Sequence, residues 1–328
     1  MSDEDLERLL KSAGPREKPP PEVERVVRER LHADWKAWVR EMRAPIRRRR
    51  YFALAAGLLA AAVGLWVLGS RIVEPPTAIG TLAAAAGEIR ERSGWLSGWR
   101  AMRGGDVVMA GRTLETGGNG RAALALPGGV SARMDRDTRI VLVDRDLVRL
   151  ERGALYVDSG AIDGPASRLR VETASGTVRH LGTQYEVRVM PAGTRLRVRE
   201  GQVEWRSAAG VVERGHGGEQ LVISVDGEVR RETTPRYGVS WAWVSEAAPA
   251  IDLEGMTLTR FLAWAGRELG REVIFSPALS EPELAAIVVH GSTAGLTPAE
   301  ALHAVLATTS VRATIADGRI LVARRGPT

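Results

Sequence analysis

Gly118-Asn-Gly120-Arg-Ala-Ala123 has the G-x-G-x-x-A spacing that lets a backbone turn approach a dinucleotide pyrophosphate. That chemistry needs a strand before the glycines and a helix after them. Here a strand-like run, Arg121 to Leu126, follows, so a hairpin turn is the expectation. Asp135-Arg-Asp137 and Asp144-Arg-Asp146 pair carboxylates as a calcium loop does, but lack that loop's Gly and closing Glu, and read as strand-end turns. His180, His216, His290 and His303 lie in unrelated segments without metal-ligand spacing. There is no cysteine, which excludes disulfides, thiolate metal sites and cysteine nucleophiles. Every lysine (Lys11, Lys18, Lys36) precedes residue 40, so none serves a phosphate loop or Schiff base in the rest of the chain. Neither G-x-S-x-G nor H-E-x-x-H occurs. The reading is therefore of no catalytic residue, no metal site and no cofactor.

What organises the chain is an apolar run, Phe52 to Gly69, without a charged side chain. It is a little short for a transmembrane helix, which takes roughly 20 residues, and is rich in Ala and Gly. Tyr51 and Trp66 suit the headgroup level. Arg47 to Arg50 abut its N-terminal side, with Arg40 and Arg43 close behind. The excess of positive charge marks that side as cytoplasmic. A buried core helix would not open on four arginines. A cleaved signal peptide would have a shorter leader than 50 residues and a better cleavage site than Leu68-Gly-Ser-Arg71. The expectation is one uncleaved span with the N-terminus inside.

The chain has 328 residues and a formal net charge of +6. Residues 1–50 hold 14 Lys+Arg against 10 Asp+Glu, and the remainder 32 against 30. The basic excess is thus mainly beside the membrane, which fits topology better than a nucleic-acid footprint.

Before the membrane, a short capped helix over Ser2 to Leu10 is followed by a stiff Pro19–Pro21 spacer and a longer helix from Glu22 to about Arg43. Val23, Val27, Leu31, Trp35, Trp38 and Met42 recur at steps of three and four and form one apolar stripe. Val27, Leu31, Trp35, Trp38 and Met42 are the candidate partner-binding residues, with the tryptophans as anchors. Mutual packing of the two helices, or a seat on the inner membrane surface, explains the stripe equally well.

Beyond the membrane, residues 70–86 read as a linker and 87–236 as an all-β domain. Short runs such as Arg139–Val143, Asp146–Leu150, Ala154–Val157, Leu169–Thr173, Tyr185–Val189 and Arg195–Arg199 are separated by turn residues. Such a pattern predicts a sandwich or roll. Arginine recurs on the polar positions, as on the solvated face of an antiparallel sheet. The last unit, 249–325, has the pattern β-α-β-β-α-β-β. Thr257 caps its first helix and Thr297-Pro-Ala-Glu300 makes a capping box for its second. Asp317-Gly318 turns a final hairpin. The unit reads as compact and self-sufficient.

Leu114-Glu-Thr-Gly117 with Arg121–Leu124, Leu150-Glu-Arg-Gly153 with Leu155-Tyr-Val157, Gly176–Thr183 with Tyr185-Glu-Val187, Val198–Val203 and Gly218–Leu221 resemble the FecR family. The motif positions are Gly176, Gly182, Thr183, Val187 and Gly201, which physically read as structural. Asp252–Leu258 and Gly291–Leu306 resemble the small STN domain of secretins and TonB-dependent receptors. The resemblance implies a mainly β chain with α+β parts: cytoplasmic helices (1–50), a transmembrane helix (51–69), a periplasmic β domain and an STN-like domain. It implies a single-pass regulator of the bacterial inner membrane. Such a protein relays a periplasmic signal, of iron or siderophore type, from the signalling domain of an outer-membrane TonB-dependent receptor to an ECF sigma factor, in the manner of an anti-sigma factor. It would not be an enzyme and would not contact nucleic acid. The rival reading is a non-enzymatic envelope scaffold, or a glycan-binding protein held by the same anchor.

Overall fold

A computed structural model describes residues 7–8, 11, 18, 20–40, 57, 59–60, 77–94, 96–160, 168–180 and 182–325. The chain divides into two units, Met1–Pro75 and Pro76–Thr328. In the first, residues 21–40 form helix α1, starting on the last proline of the spacer, Pro21. Met42 lies outside the described residues, as does most of the expected span 51–69, of which only Gly57, Leu59 and Ala60 are described, all helical. Among the described residues no helix is long and apolar enough to cross a membrane.

The second unit opens with seventeen strands: β1 (Ala78–Ala86), β2 (Ile89–Arg92), β3 (Arg100–Ala101), β4 (Val107–Met109), β5 (Arg112–Thr116), β6 (Arg121–Leu126), β7 (Val130–Met134), β8 (Arg139–Asp144) and β9 (Leu147–Asp158). There follow β10 (Arg170–Thr173), β11 (Gly176–His180), β12 (Gln184–Met190), β13 (Gly193–Glu200), β14 (Gln202–Arg206), β15 (Val212–His216), β16 (Glu219–Ser224) and β17 (Val229–Thr233). They make one sheet that curls over itself into two layers. One layer runs β4-β1-β6-β7-β9-β12-β13-β16-β17 and the other β3-β2-β5-β8-β9-β10-β11-β14-β15. A single core fills the space between them, with Leu82, Leu124 and Val187 from one side and Leu114, Ile140 and Trp205 from the other, all fully buried.

Two expectations are corrected here. Ala78–Ala86 is a strand, not a linker: its run of small side chains lacks alternation, yet lies antiparallel against Ala122 and Ala123 of β6 with Leu82 in the core. Tertiary pairing has overridden weak intrinsic β preference. The segments 146–150 and 154–157, expected as two strands, are one. β9 pairs with β8 through residues 147–152 and with β7 and β12 beyond that, so it belongs to both layers. The switch falls at Gly153, whose φ of 83° and close seat against Thr138 exclude a side chain.

A connector carrying helix α2 (Ala242–Glu246) leads to the last module: β18 (Met256–Thr257), α3 (Leu258–Leu269), β19 (Glu272–Phe275), α4 (Glu281–Ala285), β20 (Val288–Val289), α5 (Pro298–Ala307), β21 (Val311–Ala316) and β22 (Arg319–Arg324). The expected caps at Thr257 and Thr297 are present, and Gly270 ends α3 in the left-handed conformation at φ 64°. Helix α4 was not expected, although Ser280 and Glu283 close a second capping box around it. β18 pairs with β20, while β19, β22 and β21 form a separate sheet. Leu258, Phe261, Leu262, Leu302 and Leu306 fill this module's own core.

Candidate interaction surfaces

Helix α1 places Val23, Val27, Leu31, Trp35 and Trp38 within an arc of about 120°, at ~100° per residue. Every one of them is at least half exposed, with Trp35 at 58% and Trp38 at 57%. The ring of His32 stacks on Trp35 at 6.0 Å. Exposed tryptophans on an otherwise charged helix form the kind of surface that a partner covers.

The motif positions of the β domain play a different part. Between β11 and β12 the chain crosses from one layer to the other, and between β13 and β14 it crosses back. Gly182 (φ 72°), Thr183 and Gly201 (φ 77°) meet where these crossings touch. A side chain on Gly201 would run into the Gly182 carbonyl and the Thr183 methyl group. Ser159 Oγ accepts from Thr183 N at 2.7 Å and donates to Thr183 O at 3.0 Å, and Thr183 Oγ1 donates to Gln202 O at 3.2 Å. Gly176 sits elsewhere, at the β10–β11 turn under the Trp205 indole, and Val187 lies in the core. These residues set the crossings, a turn and part of the core.

The larger surface was not foreseen. The outer face of the β7-β9-β12-β13 layer carries Arg133, Tyr156, Asp158, Gln184, Glu186, Arg188, Arg195, Arg197 and Arg199. Instead of meeting solvent, much of it is covered by the connector and α3. Arg133 is 1% exposed. Its Nη1 and Nη2 donate to Glu268 Oε2 and Oε1 of α3, both at 2.7 Å, and Nη1 also donates to Val244 O at 2.9 Å. Burial acts to lower the Arg133 pKa, but the Glu268 carboxylate outweighs it and the guanidinium is held charged above its ordinary value. Glu186 is fully buried; burial acts to raise its pKa, yet Arg197 and Arg188 hold it below the usual carboxylate range. Its Oε2 accepts from Arg197 Nη2 at 2.6 Å and from Trp243 Nε1 at 3.0 Å. Trp241 donates its Nε1 to Pro235 O at 2.7 Å and lies under the guanidiniums of Arg197 and Arg199, at 4.7 and 5.2 Å. Its ring meets Tyr156 edge-on at 6.1 Å. Arg267 pairs with Asp158 and Glu200, and Arg121 with Asp135 and Glu246. The joint is thus a layer of charges, buried at its centre and mostly paired, roofed by two tryptophans.

The expectation of a solvated arginine face is corrected for this layer. Alternation identifies the outward residues but not what lies on them. A signal was present: Trp241 and Trp243, two residues apart, have no place in either neighbouring core, and a cationic face is where indoles stack.

With the geometry in view, comparison with known proteins assigns the middle of the chain. Residues 112–204 match the model of a family described as FecR protein. The match lies within the β domain, from β5 into β14. Two crystal structures of a candidate anti-sigma factor from Parabacteroides distasonis, at 2.50 and 1.65 Å resolution, overlap 65% of this chain and 99% of theirs at 18% identity. Their TM-scores, 0.34 and 0.35, are too low to establish a shared fold. No curated protein matches the chain.

Proposed function

We propose that this chain is a FecR-type regulator of a sigma factor, held in the bacterial inner membrane by a single span over 51–69 with its N-terminus in the cytoplasm. In this reading Val27, Leu31, Trp35 and Trp38 of α1, together with Met42, dock an ECF-type sigma factor in the manner of an anti-sigma factor. The β domain and the last module stand in the periplasm, and the last module, of STN type, meets the signalling domain of a TonB-dependent receptor for iron or siderophore. The observation that carries the reading is the exposed Trp35–Trp38 stripe in a chain whose residues 112–204 match the FecR family model. An amphipathic helix in a protein groove concentrates its binding energy in a few large anchors.

The test is a pull-down of the ECF-type sigma factors of the source bacterium by full-length protein in detergent. Trp35→Ala and Trp38→Ala should each cost ~2 kcal/mol of binding, the usual scale for an anchor, about thirtyfold in Kd. Membrane levels should not change. Undiminished capture by the double variant would show that the stripe does something else.

A further inference from the structure

A cleft of 460 Å³ opens beside the joint, between the edge of the β domain and the last module. That volume is within the range of about 300–1,000 Å³ typical of small-ligand sites. Four guanidiniums line it, from Arg199, Arg236, Arg267 and Arg271, against two carboxylates, Glu200 and Glu272. Both carboxylates already have partners: Glu200 pairs with Arg267 at 3.3 Å and Glu272 with Arg319 at 3.4 Å. Arg236 and Arg271 have no carboxylate partner among the described residues. Arg236 donates to Gly217 O, and Arg271 lies over the Tyr237 ring at 4.4 Å.

Two further groups are poised without a partner. Arg199 is 2% exposed; its Nε donates to Arg236 O at 2.8 Å, but its Nη1 meets no acceptor among the described residues. The bare Cα of Gly270 lets the chain close over this guanidinium, since a side chain there would strike it. Gln184 is 1% exposed, and its Nε2 donates to Asp158 Oδ2 at 2.8 Å and to Arg267 O at 3.3 Å. Those two acceptors fix the amide's orientation. Its Oε1 is thereby left as a buried acceptor with nothing to accept from. Buried donors and acceptors left open are costly, and each such group calls for an explanation.

We infer that this cleft binds a small oxyanion, a carboxylate or phosphate that also carries a hydroxyl group. Arg199, Arg236 and Arg271 hold the oxyanion, because planar guanidinium forks match its oxygens. The hydroxyl donates to Gln184 Oε1. The lining comes from β12, β13, the connector, α3 and β19, so a bound ligand bridges the two modules and stabilises their joint by mass action. The inference does not rest on the sigma-factor reading.

The test is titration calorimetry on the full chain in detergent with malate, succinate and glycerol 3-phosphate, at constant ionic strength so that simple screening is held fixed. Malate or glycerol 3-phosphate should bind saturably, and whichever binds identifies the carboxylate or the phosphate as the source. The double variant Arg236→Gln/Arg271→Gln should bind about tenfold more weakly or worse, the scale of one charge-assisted hydrogen bond. Its unliganded melting temperature should fall by no more than a few degrees, because the two side chains give up only a hydrogen bond to Gly217 O and a ring contact with Tyr237. No saturable binding of either ligand, or equal binding by the variant, overturns the site. Succinate binding as tightly as malate overturns the role of Gln184.

Discussion

Replacing Glu268 by alanine isolates the energetics of the joint. The change leaves Arg133, at 1% exposure, with only the Val244 carbonyl to accept from its guanidinium. Two hydrogen bonds of 2.7 Å and the opposite charge disappear together. Breaking a buried ion pair by removing one partner costs about 3–5 kcal/mol, because the remaining charge stays desolvated. For a unit of this size that corresponds to a fall in melting temperature of roughly 6–20 °C. The paired replacement Arg133→Met/Glu268→Leu removes both charges while keeping apolar bulk, and should recover most of the loss. Urea unfolding of the full chain, followed by tryptophan fluorescence, reads both variants, since Trp241 and Trp243 lie in the same layer. The reasoning fails if Glu268→Ala stays within ~1 kcal/mol of wild type, or if the paired variant is no more stable than Glu268→Ala. Either result would mean that water reaches Arg133 and the joint is looser than its geometry indicates.

Other predictions rest on single positions. Gly201→Ala forces a left-handed φ on a residue with a side chain and drives its Cβ toward the Gly182 carbonyl, so it should lower stability by ~1–3 kcal/mol in the same urea assay. A Gly201→Ala protein of wild-type midpoint would refute the crossing as described. His180 is buried against Tyr185 at 6.1 Å, neither ring nitrogen has a hydrogen-bond partner among the described residues, and burial lowers its pKa. Below about pH 6.5 the unfolded chain takes up a proton that the folded His180 refuses. Its contribution to stability is therefore greatest above that pH and declines as pH falls. Against His180→Phe, the wild type should lose more stability between pH 7.5 and 5; parallel loss in the two proteins would remove His180 from the account.

Where local rules governed, the sequence could be read. The caps at Thr257 and Thr297, the stop at Gly270 and the Asp317-Gly318 hairpin depend on neighbours a few residues away, and the structure has them all. The Gly118–Gly120 segment is likewise a turn into β6, with Gly120 N donating to Gly117 O. What escaped was set at long range. The alanine strand β1 needs β6 beside it before its pattern means anything. The continuity of β9 across Glu151-Arg152-Gly153 looks like a turn until both layers are in place. The Arg133–Glu268 pair joins residues 135 positions apart, and no spacing rule connects them. The outward arginines were identified as outward, but only the folded chain shows that a second module covers them.

Strand β9 has a consequence for how the molecule opens. Residues 155–158 are paired on both flanks, with β7 and β12, while residues 147–149 are paired with β8 and β10 in the other layer. Neither layer can peel away and leave the other intact, because each would take half of the same strand with it. The amide hydrogens of 155–158 should therefore exchange with solvent only through complete opening of the β domain, whereas an ordinary sandwich can lose one sheet's edge at a time. The domain behaves as one cooperative element, holding its shape entirely or losing it entirely.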